Sequence, residues 1–279
     1  MKKQTDKTDI SANPEGSKKD LKAFLNGLKN RNNKILVNNS KTHKNSLKIE
    51  NNAIQVVLTK SMLWGLFKKA FQLTAKKAFV ESPDALANIA PLIEYFIRHP
   101  DFFKRKRLVT QLGGEQLQPS FEKGLLIIGG YGNGKTSMME ALQLVFDTYR
   151  MPMRFKGYKA HELVTTYERI GADPLYQESS KYEFFHGLTT AKGLYIDDVK
   201  KEREASNYGK VNLIRDILEK RYDHGKGYTY ITCNYREGDQ QFLLEDALAE
   251  FGEKYGGHIY DRLFEKFNIL EFKGSTFRR

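Results

Sequence analysis

The amino-acid sequence predicts an α/β fold in which a parallel sheet lies between helices. Two stretches of the chain predict it. The short apolar run 125–128 leads into a glycine-rich turn, and a helical pattern of apolar residues follows directly. A second run, 193–196, ends in the adjacent aspartates Asp197 and Asp198. Short apolar runs between helical patterns are typical of buried parallel strands, and such sheets bind ligands at the carboxyl ends of their strands.

Length and composition are those of a folded protein in a reducing compartment. The chain has 279 residues, of which 40% are hydrophobic and 12% aromatic. Its single cysteine, Cys233, excludes a disulfide framework within the chain. No apolar run approaches the length of a membrane span, and no apolar segment follows the basic residues at the start. We therefore expect a cytoplasmic protein without a membrane partner.

The positive charge is concentrated in the first part of the chain. The net charge is +12, with 12 Lys/Arg against 5 Asp/Glu in residues 1–50 and 10 against 4 in residues 51–112. Residues 113–279 are balanced, with 24 against 25. This asymmetry indicates a polyanion or an acidic partner for the N-terminal part. We predict three regions: a basic disordered tail (1–52), a helical basic partner-binding region (53–112) and the α/β core (113–279).

The N-terminal regions differ in their apolar content. The first 50 residues are rich in Lys, Asn and Ser and have few large apolar groups, so we expect disorder or transient helices; a solubilising tail is the alternative. From about residue 59 a basic amphipathic helix is predicted, and Ser82 followed by Pro83 predicts the start of a second helix. Pro91 is expected to kink or restart it. The apolar faces could meet a membrane, a partner or nucleic acid, or pack on their own domain.

The glycine-rich turn predicts a phosphate site. Residues 129–136 match G-x-x-x-x-G-K-[ST] between a strand and a helix. In such a loop the backbone N–H groups and the helix N-terminus surround a phosphate, Lys135 reaches the terminal phosphates, and Thr136 gives a hydroxyl to Mg²⁺. ATP and Mg²⁺ are the expected ligands. The predicted binding residues are Gly129, Gly130, Tyr131, Gly132, Asn133, Gly134, Lys135, Thr136 and Ser137.

The paired aspartates allow three interpretations: a cation site, a general acid/base pair or a solvated strand end. The phosphate loop decides for the first, because nucleotide-bound Mg²⁺ needs a carboxylate from a neighbouring strand. We assign Asp197 to the magnesium shell and Asp198 to the attacking water. Glu202 either completes the acidic cluster or belongs to a solvated helix start.

Further strands and helices are predicted in alternating order. A strand is expected near 152–157, helices at 161–170 and 211–223, and a β-rich run ending at Asn234. The Asn234 amide is either a turn residue or holds the lytic water together with Asp198. The segment FNILEF is predicted as the fifth strand, and the chain ends seven residues later, which leaves no room for a C-terminal lid.

Five segments together resemble a known family. GGYGNGKTS, LYIDDVKKE, ILEKRYD, YITCNY and YGGHIYDRLFEKFNILEFKGSTFRR resemble the AAA+ (ASCE-type) P-loop ATPases of the DnaC/DnaI helicase-loader family over about 113–279, and are similar to the transposition helper IstB. The resemblance implies ATP-driven remodelling of a hexameric replicative DNA helicase at single-stranded DNA, by a homo-oligomer when ATP is bound. It also implies sensor-1 Asn234, arginine finger Arg262 and a terminal, nucleotide-reading Arg278. A surface arginine paired with Asp261 or Glu265 is the alternative for Arg262.

The chain also departs from the family. Lys200 and Lys201 stand where many members have Gly-Thr, so a role for Glu202 is not carried over. The first 112 residues lack the cysteine cluster of zinc-binding loaders, so no metal other than Mg²⁺ is implied. The alternatives are an IstB-like ATPase that delivers a transposase, an ATP-switched DNA-binding adaptor, and a P-loop small-molecule kinase. The paired acids, the Asn-tipped strand and the basic extension disfavour the kinase.

Overall fold

The computed structural model describes residues 58–171, 177–206, 209–225, 227–239, 241–274 and 276. The predicted tail 1–52 and Arg278 lie outside these residues. A five-stranded parallel sheet forms the centre, with β1 Gly124–Gly129, β2 Lys156–Lys159, β3 Gly193–Asp197, β4 Tyr228–Cys233 and β5 Phe267–Phe272. The strand order is β2-β3-β4-β1-β5, and every neighbouring pair is parallel.

This order places the predicted site. β4 lies between β1, which leads into the glycine-rich loop, and β3, which leads into the paired aspartates. β1 is buried along its whole length, as its continuous apolar sequence predicts. Because all five strands run the same way, the residues that follow β1, β3 and β4 meet at one edge of the sheet. The predicted five-stranded parallel α/β fold is confirmed.

Helices cover both faces of the sheet. Those within the described residues are α1 Lys60–Ala75, α2 Pro83–Phe96, α3 Lys135–Thr148, α4 Ala160–Gly171, α5 Gln177–Thr190, α6 Leu213–His224, α7 Leu244–Tyr255 and α8 Gly257–Lys266. A 3₁₀ turn, Pro100–Lys104, follows α2. Two short antiparallel strand pairs, Gln111–Leu112 with Glu115–Gln116 and Ala205–Ser206 with Lys210–Val211, lie outside the sheet. None of the helices described is long and apolar enough to cross a membrane.

Helices α1 and α2 belong to the same compact unit as the sheet. Residues from Leu58 onward cluster as one unit, in which α1 lies against α3. The buried carboxylate of Glu94 on α2 accepts hydrogen bonds from Lys60 on α1 and from Arg105, and Asn88 on α2 donates to the carbonyl of Lys273 after β5 at 2.9 Å. The apolar faces therefore pack on their own domain, and the predicted boundary at 112/113 does not separate two compact units.

Two local predictions differ from the structure. Of the kink or restart expected at Pro91, the restart does not occur: helix α2 continues through the proline, and buried side chains on both sides of it, Ile89 and Leu92 among them, hold the helix in place. Strand β2 occupies Lys156–Lys159 rather than 152–157. It is an edge strand with little apolar sequence, and its pairing with β3 fixes its register.

Candidate functional site

The glycine-rich loop joins β1 to the N-terminus of α3. Gly132 and Gly134 adopt φ values of 77° and 90°, in the left-handed region that glycine enters without strain. The Asn133 amide donates to the carbonyl of Phe272 at 2.8 Å, which fastens the loop to the end of β5. Helix α3 begins at Lys135, with Gly134 as its N-cap. The loop thus turns unsatisfied N–H groups and a helix N-terminus toward one cavity, which is the arrangement that binds phosphate.

Lys135 is the cation at the centre of this loop. Its ammonium donates to the carbonyls of Gly129 and Gly130 at 2.7 and 2.8 Å, and to the side-chain oxygens of Asn133 and Asn234 at 3.2 and 3.1 Å. Burial lowers the pKa of Lys135 to about 8, against the opposing influence of Cys233 and the two aspartates. The ammonium is therefore held in place by neutral oxygens only, which a charged phosphate can displace.

Asp197 lies at the end of β3, facing the helix that follows the loop. The Thr136 hydroxyl lies 3.0 Å from each of its carboxylate oxygens. The Tyr195 hydroxyl donates to Oδ1 at 2.6 Å, and the Thr232 hydroxyl donates to the same oxygen. Burial, and next the neighbouring carboxylate of Asp197, raise the pKa of Tyr195, so the phenol stays a donor. These bonds fix the carboxylate beside Thr136.

This pair of groups fits a magnesium ion. A threonine hydroxyl and one fixed carboxylate are hard oxygen ligands, and Mg²⁺ in proteins is usually bound by one or two carboxylates together with phosphates and water. No cluster of three or more His, Cys, Asp or Glu that could hold a metal by itself is found among the described residues. The donor set therefore suits a nucleotide-borne ion rather than a resident metal.

Asp198 and Asn234 are joined directly. The Asn234 amide nitrogen donates to Oδ1 of Asp198 at 2.7 Å, while its oxygen accepts from Lys135. The backbone of Asp198 is in the left-handed region with φ of 54°, and its N–H donates to the Thr232 hydroxyl at 3.0 Å. One neutral amide thus bridges the loop lysine and the second aspartate, as expected if Asn234 is more than a turn residue.

These groups line a cavity of about 520 Å³, within the usual size range of small-molecule sites. Its lining includes loop residues 131–137, both aspartates, Thr232 and Asn234. Residues 77–80, from the segment between α1 and α2, also line it. The cavity therefore combines a phosphate-binding floor with a partly apolar wall from the N-terminal helices.

The sequence interpretation missed several residues of the site. Tyr195 and Thr232 each precede a predicted site residue by two positions, which places them on the same face of their strands, so period-two reasoning could have found them. Residues 77–80 carried no such signal. Glu140, Lys159 and His161 also line the cavity. Burial raises the pKa of Glu140, and the charge of Asp197 adds to the shift.

Glu202 does not join the acidic cluster, and it is not on a solvated helix start. Its carboxylate is buried, accepts a hydrogen bond from the Tyr255 hydroxyl at 2.8 Å and lies 3.2 Å from the Lys254 ammonium. Residues 202–204 have no helical structure. Because its partners lie on α7, more than 50 residues later, the local sequence could not indicate this role.

Arg262 lies far from the phosphate loop of its own chain. Its guanidinium carbon is 3.7 Å from the ring centroid of Tyr222 and its Nη1 is 3.8 Å from Asp223, rather than against Asp261 or Glu265. It lines a cavity with Gly124, at the amino-terminal end of β1. The strand from Gly124 to the loop spans about 17 Å at 3.3 Å per residue. Arg262 therefore does not contact the site of its own chain.

Fold and site together define the class of protein. A parallel sheet with a glycine-rich phosphate loop between a strand and a helix, and with an extra strand between that loop's strand and the strand of the paired acids, is the core of a P-loop nucleotide-binding fold. No known family pattern matches the chain, and no curated protein does.

Solved structures to which the chain is similar include the DnaC helicase loader, DnaI and a primosome component of Streptococcus pyogenes serotype M3. The DnaC structure has 20% sequence identity and a TM-score of 0.41, over 55% of this chain and 79% of that one. The DnaI structure has 19% sequence identity and a TM-score of 0.39, over 54% of this chain and 73% of that one. The primosome component has 14% sequence identity and a TM-score of 0.43, over 75% of this chain and 91% of that one.

Proposed function

We propose that this protein binds and hydrolyses ATP and acts as a DnaC-like loader of a replicative helicase at single-stranded DNA. One observation carries the hydrolysis: Asn234 connects the phosphate-loop lysine to Asp198, while Thr136 and Asp197 form an oxygen pair beside them. Phosphate-binding, cation-binding and proton-accepting groups thus meet at one edge of the sheet, as nucleotide hydrolysis requires.

The residues of the chain divide the work of hydrolysis. Lys135 exchanges its protein oxygens for the terminal phosphates of ATP, which frees the Asn234 oxygen to accept a hydrogen bond from a water. That water attacks the terminal phosphorus, Asp198 accepts its proton, and the bond to the bridging oxygen breaks to release ADP. Magnesium, held by Thr136 and Asp197, would neutralise charge on the phosphates.

The helicase and DNA partners are proposed on other grounds. The five sequence segments that resemble helicase loaders include the paired acids and the Asn-tipped strand found at the site. Residues 1–50 carry 12 Lys/Arg against 5 Asp/Glu, a charge that suits a polyanion. An IstB-like ATPase shares this core, and co-purification of a helicase or of a transposase with the native protein distinguishes the two.

Asp198→Asn tests the hydrolytic role. We expect the variant to bind ATP like the unmodified protein but to hydrolyse it about 100-fold more slowly or worse, as for a lost general base. The amide that replaces the carboxylate still accepts the bond from Asn234, so the loop geometry is retained. Phosphate release under saturating ATP, with ATP affinity measured separately, gives both values.

Asp147→Asn is the matched control, because Asp147 is an exposed aspartate of α3 that lies outside the cavity lining. It should hydrolyse ATP at the unmodified rate. Hydrolysis at that rate by Asp198→Asn would remove Asp198 from the mechanism. Glu202 could then take its place only after leaving Tyr255 and Lys254.

The basic N-terminal part is tested with a shortened chain that begins at residue 58. The chain is not cut at the predicted boundary 112/113, because α1 and α2 belong to the compact unit and line the cavity. We expect residues 58–279 to keep nucleotide affinity but to bind single-stranded DNA at least about tenfold more weakly, with a shallower dependence on salt. Fluorescence anisotropy at several salt concentrations measures both. Equal DNA affinity and equal salt slopes for the two chains would contradict the assignment.

A further inference from the structure

Lys201 contacts the phosphate loop from the loop that follows the paired aspartates. Its ammonium donates to the Tyr131 hydroxyl at 2.6 Å and lies 4.1 Å from the centroid of the Tyr131 ring. Tyr131 is 55% exposed and lines the cavity. A lysine thus lies over the outer side of the phosphate loop, held by a single hydroxyl and the face of an exposed ring.

The contact lies beside the part of the loop that holds the Lys135 ammonium. Lys135 marks the terminal-phosphate end of the cavity, because the lysine of such a loop reaches the terminal phosphates. Its ammonium donates to the carbonyl of Gly130, the neighbour of Tyr131 in the chain. Asn234 accepts a hydrogen bond from the same ammonium and donates one to Asp198, which precedes Lys201 by three residues in the chain. Tyr131 therefore lines the cavity, and Lys201, which is not itself a lining residue, lies against it and close enough for its charge to act on Lys135.

The backbone around Lys201 is fixed on both sides. The N–H of Lys200 donates to the Tyr255 hydroxyl at 2.9 Å, and the Lys200 ammonium donates to the carbonyl of Ala247. On the other side, the same Tyr255 hydroxyl donates to Glu202 at 2.8 Å. Both neighbours are buried, while Lys201 is exposed. The flanking anchors therefore hold the main chain in place, and the Lys201 side chain is the part that is free to move.

Electrostatics keep Lys201 charged. Burial opposes the ammonium form, but the hydrogen bond to Tyr131 and the charge of Asp198 outweigh it, so the pKa of Lys201 is raised. Lys135, by contrast, is the only lysine whose ammonium is hydrogen-bonded to the loop carbonyls in the part of the chain that the structure describes. The two aspartates and a terminal phosphate together carry more negative charge than Lys135 and a magnesium ion would balance.

We propose that Lys201 is a second phosphate-contacting lysine of this site, which leaves the Tyr131 hydroxyl and donates to the terminal phosphate when ATP binds. This inference rests on the proposed function and adds a specificity determinant to it. Because ADP lacks the terminal phosphate, Lys201 favours ATP over ADP. Until ATP binds, the Tyr131 hydroxyl keeps the Lys201 ammonium at the phosphate loop.

The test compares the affinities of the full chain for ADP and for a non-hydrolysable ATP analogue, both with Mg²⁺. Lys201→Ala should weaken binding of the ATP analogue by about tenfold or more, the size expected for one charge-assisted hydrogen bond. ADP affinity should stay within about twofold, since ADP does not reach the lysine. A purely structural role would weaken both nucleotides equally, and that result would overturn the inference.

Two further variants sharpen the result. Tyr131→Phe keeps Lys201 and removes only the hydroxyl that accepts its hydrogen bond, so the preference for ATP should be retained or increased. A loss of preference as large as in Lys201→Ala would assign the phosphate contact to the tyrosine hydroxyl instead. Lys210→Ala removes an exposed lysine whose ammonium lies 4.0 Å from Glu204, and it should change neither affinity. If the unmodified protein binds neither nucleotide, the proposed function itself fails, which is a different outcome from an unchanged ratio in Lys201→Ala.

Discussion

Lys135→Ala is expected to weaken ATP and ADP binding by at least about 100-fold, because the phosphates lose their main charge-assisted donor. The unmodified protein should also show a dependence on pH that the variant lacks. The pKa of Lys135 is lowered to about 8 in the nucleotide-free protein. Above that pH the lysine must take up a proton to bind phosphate, so affinity should fall as the pH rises. Calorimetric titrations between pH 7 and about pH 9.5 measure both effects.

A control is needed because the substitution also removes hydrogen bonds within the protein. Four protein oxygens lose a donor, those of Gly129 and Gly130 among them. Thermal unfolding of Lys135→Ala in the absence of nucleotide shows whether the fold survives, and Lys156→Ala, on the edge strand β2, is the matched surface variant. A folded Lys135→Ala protein that binds nucleotide with unchanged affinity would refute the phosphate-site assignment.

Arg262→Ala is expected to lower ATP hydrolysis by about 1,000-fold in the assembled protein while leaving nucleotide affinity nearly unchanged, as for an arginine finger given by a neighbouring subunit. A role between chains agrees with the position of Arg262, which lies at the opposite end of the sheet from its own loop and contacts Tyr222 and Asp223. Hydrolysis per subunit should also rise with protein concentration, because an arginine finger given by a neighbour completes a site only when the subunits assemble.

A mixing experiment distinguishes this role from a structural one. Arg262→Ala subunits have an intact phosphate loop, and Lys135→Ala subunits have an intact Arg262. In an equal mixture about a quarter of the interfaces combine the two intact halves, so about a quarter of the unmodified rate should return. Lys266→Ala, on the same helix and also near the Tyr222 ring, is the control and should hydrolyse ATP normally. Absence of any recovery, in a mixture shown to assemble, would exclude a role of Arg262 between subunits.

The parts of the site that the sequence predicts are those in which neighbours in the chain act together. The loop 129–137 and the pair Asp197 and Asp198 depend on local geometry at the ends of strands, and the structure brings them together as expected. Their chemical roles remain predictions. Strand β1 could also be predicted from the sequence, because a fully buried parallel strand must be apolar throughout.

Long-range packing accounts for what the sequence did not predict. The cavity wall at 77–80 depends on how α1 and α2 dock, which no local pattern encodes. The burial of Glu202 depends on Tyr255, 53 residues later in the chain. Part of the positive charge of the N-terminal segment is paired within the fold, since Lys60 and Arg105 both form ion pairs with the buried Glu94. A charge count along the chain cannot distinguish such a lysine from one that faces solvent.

The contact between α1 and α3 has a thermodynamic consequence. Helix α3 begins with Lys135, so the element that carries the phosphate-binding lysine rests on the first helix of the compact unit. A macromolecule that binds α1 with different affinity in the nucleotide-bound and nucleotide-free states must, by linkage, alter nucleotide affinity by the same factor. The effect of nucleotide on the binding of that macromolecule to α1 and the effect of the macromolecule on nucleotide binding then measure the same coupling free energy. A titration of either ligand in the presence of the other gives its value.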